Sequence, residues 1–292
     1  MNLDNPAWRV APVRTGFRVA KSLLRRAVPS LCRVTVPYDD GQSQIHADLR
    51  TPLGLGLYRY GHRDADIQLV GRLLAPGDVF VDGGAHVGLF TLVAAKRVGA
   101  SGRVIAFEPA GEVRQKLLQN VELNGFAQVT VKPLALSSEP GQASFRVFEL
   151  SGSGLNHLGP AADEGGRVET VEVTTLDAVL EPAERARVAV VKLDLEGAEH
   201  AALRGAAGLL ASAHPELLLE IEASHLTRMG TSVEAVESLL RTHGYTFYRT
   251  GLDADGTAFV ASIERLSQAA PQPNVLATAR PERLRERGIR VR

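Results

Sequence analysis

The chain carries one cysteine, Cys32, in 292 residues, which excludes a disulfide framework and any zinc site built from cysteines. That scarcity suits a reducing compartment, and a cytoplasmic location is expected. Net charge is also lacking, since 33 Lys and Arg balance 33 Asp and Glu. No whole-molecule field therefore favours nucleic acid or another charged polymer as partner. No apolar run approaches the ~20 residues of a membrane-spanning helix. The N-terminus has neither the apolar core nor the cleavage signal of a secretory leader, so no export is expected. No fixed-period repeat is present. What remains is an ordinary globular balance, 45% hydrophobic and 23% charged, at a length that fits one principal domain.

Apolar runs alternate with helical patterns from about residue 66 to 263. Ile67, Val70, Leu73 and Leu74 recur at helical spacing, and Ala75-Pro76-Gly77-Asp78 ends that helix. Strands are predicted over 79–82, 103–107, 129–134, 188–193, 217–221, 245–248 and 258–263. Helices are predicted over 88–98, 110–123, 199–211 and 232–243. Segments 143–149 and 168–174, rich in strand formers, extend the sheet or form a hairpin beside it. Strands separated by helices imply a doubly wound α/β fold with a mostly parallel sheet covered on both faces.

In such sheets ligands gather at the carboxyl ends of the strands. The apolar run Val79-Phe80-Val81 ends in Asp82 and a small-residue turn, Gly83-Gly84-Ala85-His86-Val87-Gly88, before a helix. Glycines permit a sharp turn with space beside it, and a helix start offers unpaired N–H groups. The next strand ends in Glu108, where a carboxylate can take both hydroxyls of a ribose. A nucleoside with an attached tail fits this pattern. Two registers are open. Gly83-x-Ala85-x-x-Gly88 approximates a dinucleotide fingerprint, which would make the chain an NAD(P)-dependent oxidoreductase. Asp82-x-Gly84-x-x-x-Gly88 instead resembles the first motif of S-adenosylmethionine-dependent methyltransferases. The second is preferred, because a carboxylate before the turn repels a pyrophosphate and suits the ammonium end of S-adenosylmethionine.

A second acidic signal is Asp194-Leu195-Glu196-Gly197-Ala198-Glu199, at the tip of strand 188–193. Glu199 reads as a first-turn helix residue, whereas Asp194 and Glu196 face the crevice. Glu220, Glu222 and His225 follow the next strand. His157 lies in a Gly/Ser-rich segment and reads as an exposed loop residue. Asp194 and Glu196 have the hard oxygen ligands that Mg²⁺ prefers, but two carboxylates make a thin site and no metal is assigned.

Together, Val81 to Gly88, Ala106-Phe107-Glu108-Pro109, Leu134-Ala135-Leu136-Ser137 and Val191 to Glu199 resemble the FkbM family of methyltransferases. Thr175-Leu176-Asp177, Leu219-Glu220-Ile221-Glu222, Gly244-Tyr245 and Asn274-Val275-Leu276-Ala277 also fit, so the resemblance runs from about Gly61 to Ala277. It implies a Rossmann-like, seven-stranded class I methyltransferase sheet, S-adenosylmethionine as donor, and O-methylation of a sugar, glycoside or secondary-metabolite hydroxyl, with carboxyl methylation as the variant. A non-catalytic scaffold with a vestigial pocket is the contrasting class. Asp82, Gly84, Ala85, His86 and Gly88 are then expected on the methionine side, Glu108 with Pro109 at the ribose, and Ala135 and Leu136 near adenine. Asp194 is expected to touch the cofactor and border methyl transfer, with His225 and Glu196 as catalytic helpers. Two positions depart from the family pattern: Asp64 stands where a glutamate is usual, and His86 where asparagine is common.

The expected divisions are an N-terminal extension of basic helix and strands (1–60), the methyltransferase domain (61–277) and an Arg-rich tail (278–292). The basic amphipathic stretch Arg14 to Val28 reads as docking on its own domain or a partner subunit rather than on a membrane. The tail, with six arginines between Arg280 and Arg292, reads as solvated or disordered. The partner implied is a small-molecule acceptor, with no nucleic acid.

Overall fold

The computed structural model describes residues 19, 21–23, 31–61, 64–148, 156–159, 166–269 and 274–292. In chain order the elements are β1 (Arg33–Tyr38), β2 (Ser43–Asp48), α1 (Pro52–Tyr60), α2 (Ala65–Leu73), β3 (Val79–Gly83), α3 (Leu89–Val98), β4 (Arg103–Phe107), α4 (Gly111–Leu123), β5 (Val129–Lys132), β6 (Ala135–Leu136), β7 (Gly141–Val147), β8 (His157–Leu158) and β9 (Arg167–Thr174). Next come α5 (Leu176–Val179), α6 (Pro182–Arg185), β10 (Val188–Leu193), α7 (Glu199–Arg204), α8 (Ala207–Ser212), β11 (Glu216–Glu220), α9 (Ala223–Arg228), α10 (Val233–Thr242), β12 (Thr246–Leu252), β13 (Ala258–Ile263), β14 (Asn274–Thr278), α11 (Pro281–Glu286) and β15 (Arg290–Val291).

The main sheet has the order β15-β13-β12-β14-β11-β10-β3-β4-β5. From β5 to β11 every pairing is parallel, while β14 runs antiparallel to both β11 and β12. The strand pattern explains why helices cover both faces. Val79 and Val81 of β3, Val191 and Leu193 of β10, and Leu217 and Leu219 of β11 enter one core with Leu203, Leu209, Val236 and Leu240 of the flanking helices. The intervening Phe80, Val190 and Leu218 enter the opposite core with Leu69, Leu73, Ala94 and Leu284. Side chains alternate across a strand, so a continuous apolar run feeds both layers. The resulting fold is α/β and doubly wound, with a large mixed sheet. The predicted strands at 143–149 and 168–174 correspond, over the described residues, to β7 and β9 of a separate sheet of order β6-β9-β7-β8. A β1–β2 hairpin packs Val36, Tyr38 and Ile45 onto Leu92 and Val93 of α3.

Three expectations change. The sheet has nine strands where seven were expected, because β13 forms a hairpin with β12 and β15 adds to β13. The predicted helix 199–211 is two helices, since the Asp177 carboxylate accepts from the Gly208 and Leu209 N–H groups and caps a new start. The Arg-rich tail is folded. Arg280 donates to the His214 carbonyl at 2.9 Å, Arg283 lies 3.9 Å from the buried Glu216 carboxylate, and Arg290 pairs with Asp253 at 2.6 Å. These partners lie 35 or more residues away in sequence, beyond the reach of a local reading. Most of the basic stretch 14–28 lies outside the described residues. Of those described, Val19 and Ser22 are buried, and Arg59 of α1 donates to the Ser22 hydroxyl at 2.7 Å. Among the described residues no helix is long and apolar enough to cross a membrane.

Leu284 of α11 is fully buried against the second core. Leu284→Ala is expected to destabilise the fold by about 2–5 kcal/mol, read as a lower midpoint in urea unfolding with an unchanged slope.

Candidate functional site

The carboxyl ends of β3, β4 and β10, with β6 and β8 alongside, border a pocket open to solvent. One wall is apolar, formed by Phe107, Pro109, Leu134, Ala135, Leu136 and Leu158. The other is polar, formed by Gly84, His86, Glu108, Lys192, Asp194 and Glu196.

The β3–α3 turn is tied to the neighbouring strand, since the Gly84 and Ala85 N–H groups both donate to the Phe107 carbonyl, at 3.1 and 3.0 Å. Gly84 has φ 72°, and a Cβ on it would stand 2.0 Å from the Asp194 carbonyl oxygen. The turn can therefore meet the end of β10 only with glycine at this position. His86 also has positive φ, 51°, a conformation costly to a residue with a Cβ. It aims the His86 N–H at Glu108 Oε2, 2.9 Å away, while Ala110 N–H donates to Oε1 at 3.0 Å. Glu108 is thus fixed on the pocket wall against the turn, and each oxygen keeps a lone pair for a diol. Burial pushes its carboxyl up to about 7, the two N–H donors offsetting part of that rise. Burial and the Lys192 charge lower His86 to about 4, so its ring is neutral near pH 7.

Lys192 is the residue the sequence reading passed over. It sits opposite Asp82 in the β3–β10 register and is 4% exposed. Its ammonium donates to the Gly84 carbonyl at 2.7 Å and the Gly83 carbonyl at 3.1 Å. It also lies 3.6 Å from Asp82 and 3.4 Å from Asp194. Burial alone would lower its pKa, but Asp194 and Asp82 more than offset this and leave it raised. Asp82 is fully buried and takes the Thr91 hydroxyl at 2.6 Å. This corrects one expectation. Asp82 does not line the pocket, because the chain's own ammonium and hydroxyl occupy it. The carboxylate that faces the pocket beside the turn is Asp194, whose side chain is 44% exposed.

Acidic groups crowd the ends of β10 and β11. Glu196, at φ 54°, is 7% exposed. Burial, then Asp194 and Glu199, push it up to about 7. Glu220 is driven up to about 9 by burial and by Asp194 and Glu196. His225 Nδ1 lies 2.9 Å from Glu196 Oε2, and burial with Arg228 lowers the imidazole. Glu199 accepts from the Leu195 and Gly197 N–H groups at 2.7 and 3.3 Å, which makes it the brace of this turn.

Of the residues singled out from sequence, Gly84, Ala85, His86, Glu108, Pro109, Ala135, Leu136, Asp194 and Glu196 line one pocket. His225 stands behind Glu196. Gly88 is not in the lining; it caps α3 and packs on Leu117. Asp64 caps α2 by accepting from Asp66 and Ile67 N–H, and Glu222 caps α9, so neither carboxylate faces the pocket. His157 is 3% exposed in β8 rather than an exposed loop residue, paired with Arg146 across the small sheet. Leu134, from the Leu134-Ala135-Leu136 motif, also lines the pocket, as do Phe90, Phe145, Asn156 and Leu158, which the sequence reading did not single out.

A profile described as the methyltransferase FkbM domain matches residues 82–247, more than half of the chain. The chain is 30% identical over 148 residues to the hexuronic acid methyltransferase AglP of Haloferax volcanii, covering 50% of this chain and 56% of AglP. It is 26% identical over 210 residues to the AMB antimetabolite synthetase AmbE of Pseudomonas aeruginosa, covering 60% of this chain and 10% of AmbE. The chain thus spans little more than half of one curated relative and a small part of the other. Among solved structures, methyltransferase FkbM from Methylobacillus flagellatus aligns with TM-score 0.40 at 19% identity, over 69% of this chain and 43% of that one. A SAM-dependent O-methyltransferase from Thermotoga maritima aligns with TM-score 0.39 at 14% identity, over 88% and 95%.

Lys192→Met would leave Asp82 buried without its cation. An expected loss of about 3–5 kcal/mol in urea unfolding checks this, and the double variant Lys192→Met/Asp82→Asn should recover part of it.

Proposed function

The chain belongs to the FkbM methyltransferase family, and from that membership we propose that it is an S-adenosylmethionine-dependent O-methyltransferase acting in the cytoplasm on a hydroxyl of a sugar, glycoside or secondary metabolite. The observation that carries the reading is Glu108, held by two N–H donors on the pocket wall against the glycine turn. The donor set fits the cofactor. Glu108 accepts the ribose hydroxyls beside Pro109, Ala135 and Leu136 flank the adenine, and Gly84, Ala85 and His86 border the methionine end. Asp194 is the carboxylate open to the ammonium of that end.

The bound cofactor supplies a methyl group already activated on a sulfonium, so the protein's task is alignment and proton removal. Asp194 borders the transfer point, and Glu196 and His225 stand beside it as groups able to receive the hydroxyl proton. The Asp194 carboxylate, with Glu196 part-ionised near pH 7, disfavours an anionic acceptor, which favours a neutral hydroxyl over a carboxylate. AglP is described as acting on a hexuronic acid, a class that offers both. A labelled-methyl transfer assay against sugars, uronic acids and glycosides tests the reading. Label retained after mild alkali identifies an ether, and label released as methanol identifies a carboxyl ester.

The raised pKa of Glu108 gives a signed pH dependence. Only the ionised carboxylate accepts both hydroxyls, so affinity is lost as pH falls through about 7. Between pH 6 and 8 the affinity for S-adenosylhomocysteine, measured by calorimetry, is expected to rise about tenfold. Glu108→Gln should bind more weakly and with a flat profile, and NAD should not bind. Asp194→Asn is expected to lower kcat by about a hundredfold or more, a larger loss than its loss of cofactor affinity. Unchanged turnover would remove Asp194 from the transfer site.

A further inference from the structure

Beside the pocket, behind the expected methyl-transfer point, one ligand atom each from Glu196, Glu220 and His225 lies within 4.8 Å of the other two. They arrive from three segments: the turn after β10, the last residue of β11, and the first turn of α9. Gly197 seats the first segment on the third, since a Cβ there would stand 2.4 Å from the His225 carbonyl oxygen. The relative positions of Glu196 and His225 are therefore fixed by backbone packing.

Two details indicate that the trio is arranged for something other than itself. His225 Nδ1 is 2.9 Å from Glu196 Oε2, yet Nδ1 has no hydrogen-bond partner among the described residues, so the close approach lacks hydrogen-bond geometry. Two ligands on adjacent positions of an octahedral ion with bonds of about 2.1 Å stand about 3.0 Å apart. Glu220 Oε2 is likewise buried and without a hydrogen-bond partner, although the Glu220 carboxyl also engages Asp194. The nearest fixed cations are engaged elsewhere. Lys192 is held by Asp82, Asp194 and the Gly83 and Gly84 carbonyls, and Arg228 donates to the Glu196 main-chain carbonyl at 2.8 Å.

We propose that Glu196, Glu220 and His225 bind one divalent cation, with an open coordination position toward the pocket through the Glu196 side. Two carboxylate oxygens neutralise a dication, and one imidazole nitrogen favours a first-row transition ion such as Mn²⁺ or Fe²⁺ over Ca²⁺. Glu196 is shared between the trio and the pocket lining, so an acceptor hydroxyl oxygen can reach the open position. That role toward the acceptor rests on the methyltransferase reading; cation binding does not.

The test uses the full chain and Mn²⁺ as probe, followed by loss of the free-ion signal in electron paramagnetic resonance. Saturable binding of one Mn²⁺ per chain is expected, with a nitrogen hyperfine coupling from a single imidazole. Glu220→Gln and His225→Gln should each weaken binding by about tenfold or more, and His225→Gln should erase the nitrogen coupling. Circular dichroism melts confirm that the variants fold. For the case in which a variant does not, the nitrogen coupling of the unaltered protein remains decisive. No binding at millimolar Mn²⁺, no nitrogen coupling, or an affinity that both folded variants keep overturns the site. S-adenosylhomocysteine calorimetry runs in parallel. Mn²⁺ bound here without nucleoside binding keeps the cation site and sinks the methyl-donor reading.

Discussion

The buried ammonium of Lys192 is the constraint on which the crevice depends. It joins the end of β10 to the end of β3, bonding to the carbonyls of Gly83 and Gly84 and lying between the carboxylates of Asp82 and Asp194. Backbone bonds at this edge are few, with Asp194 N–H donating to the Gly83 carbonyl at 3.2 Å, and the Lys192 side chain reinforces them. Because Asp82 is neutralised from within, the turn can lie close to β10, with Gly84 against the Asp194 carbonyl. Asp194 is then turned to the opening rather than the interior.

The electrostatics divide the pocket. Near the glycine turn, Lys192 and the N–H donors on Glu108 balance the acidic groups. Farther along, at the ends of β10 and β11, Arg228 and Lys192 only partly offset burial and the neighbouring carboxyls at Glu196, and both Glu196 and Glu220 are pushed well above ordinary carboxyl values. On the proposed reading the first end takes the nucleoside, while the second suits a group that donates hydrogen bonds or carries positive charge. His86 and Glu196, both non-glycine residues at positive φ, stand at these two ends. Backbone strain at a ligand-facing turn persists only where its surroundings enforce it, and here the contacts are Glu108 on the His86 N–H and the Arg228 side chain on the Glu196 carbonyl.

The central sheet was legible because its strands are fully covered. Val79 to Val81, Val104 to Phe107 and Val188 to Leu193 are runs that nothing but a two-sided core explains. Glu108 and Asp194 were legible for a related reason, each being the first polar residue at the tip of such a run. Lys192 was not, since a lone cation in an apolar strand shows its role only when the facing residue of β3 is known. Asp82 was misassigned for the same reason. The tail was misread because its arginines answer to Glu216 and Asp253, which no local window contains. Glu222 and Asp64 look from sequence like further pocket acids, yet cap helices, a distinction set by the direction of a single turn.

The short β15 has a consequence for association. Its backbone pairs with β13, and Arg292 exchanges hydrogen bonds with Val260 and Ser262 at the rim of the main sheet. Without that ribbon, the outer side of β13 would present unpaired amides and carbonyls, along a strand with four buried positions, as a template for a second copy. β15 thus covers part of the β13 edge that would otherwise be open to strand addition.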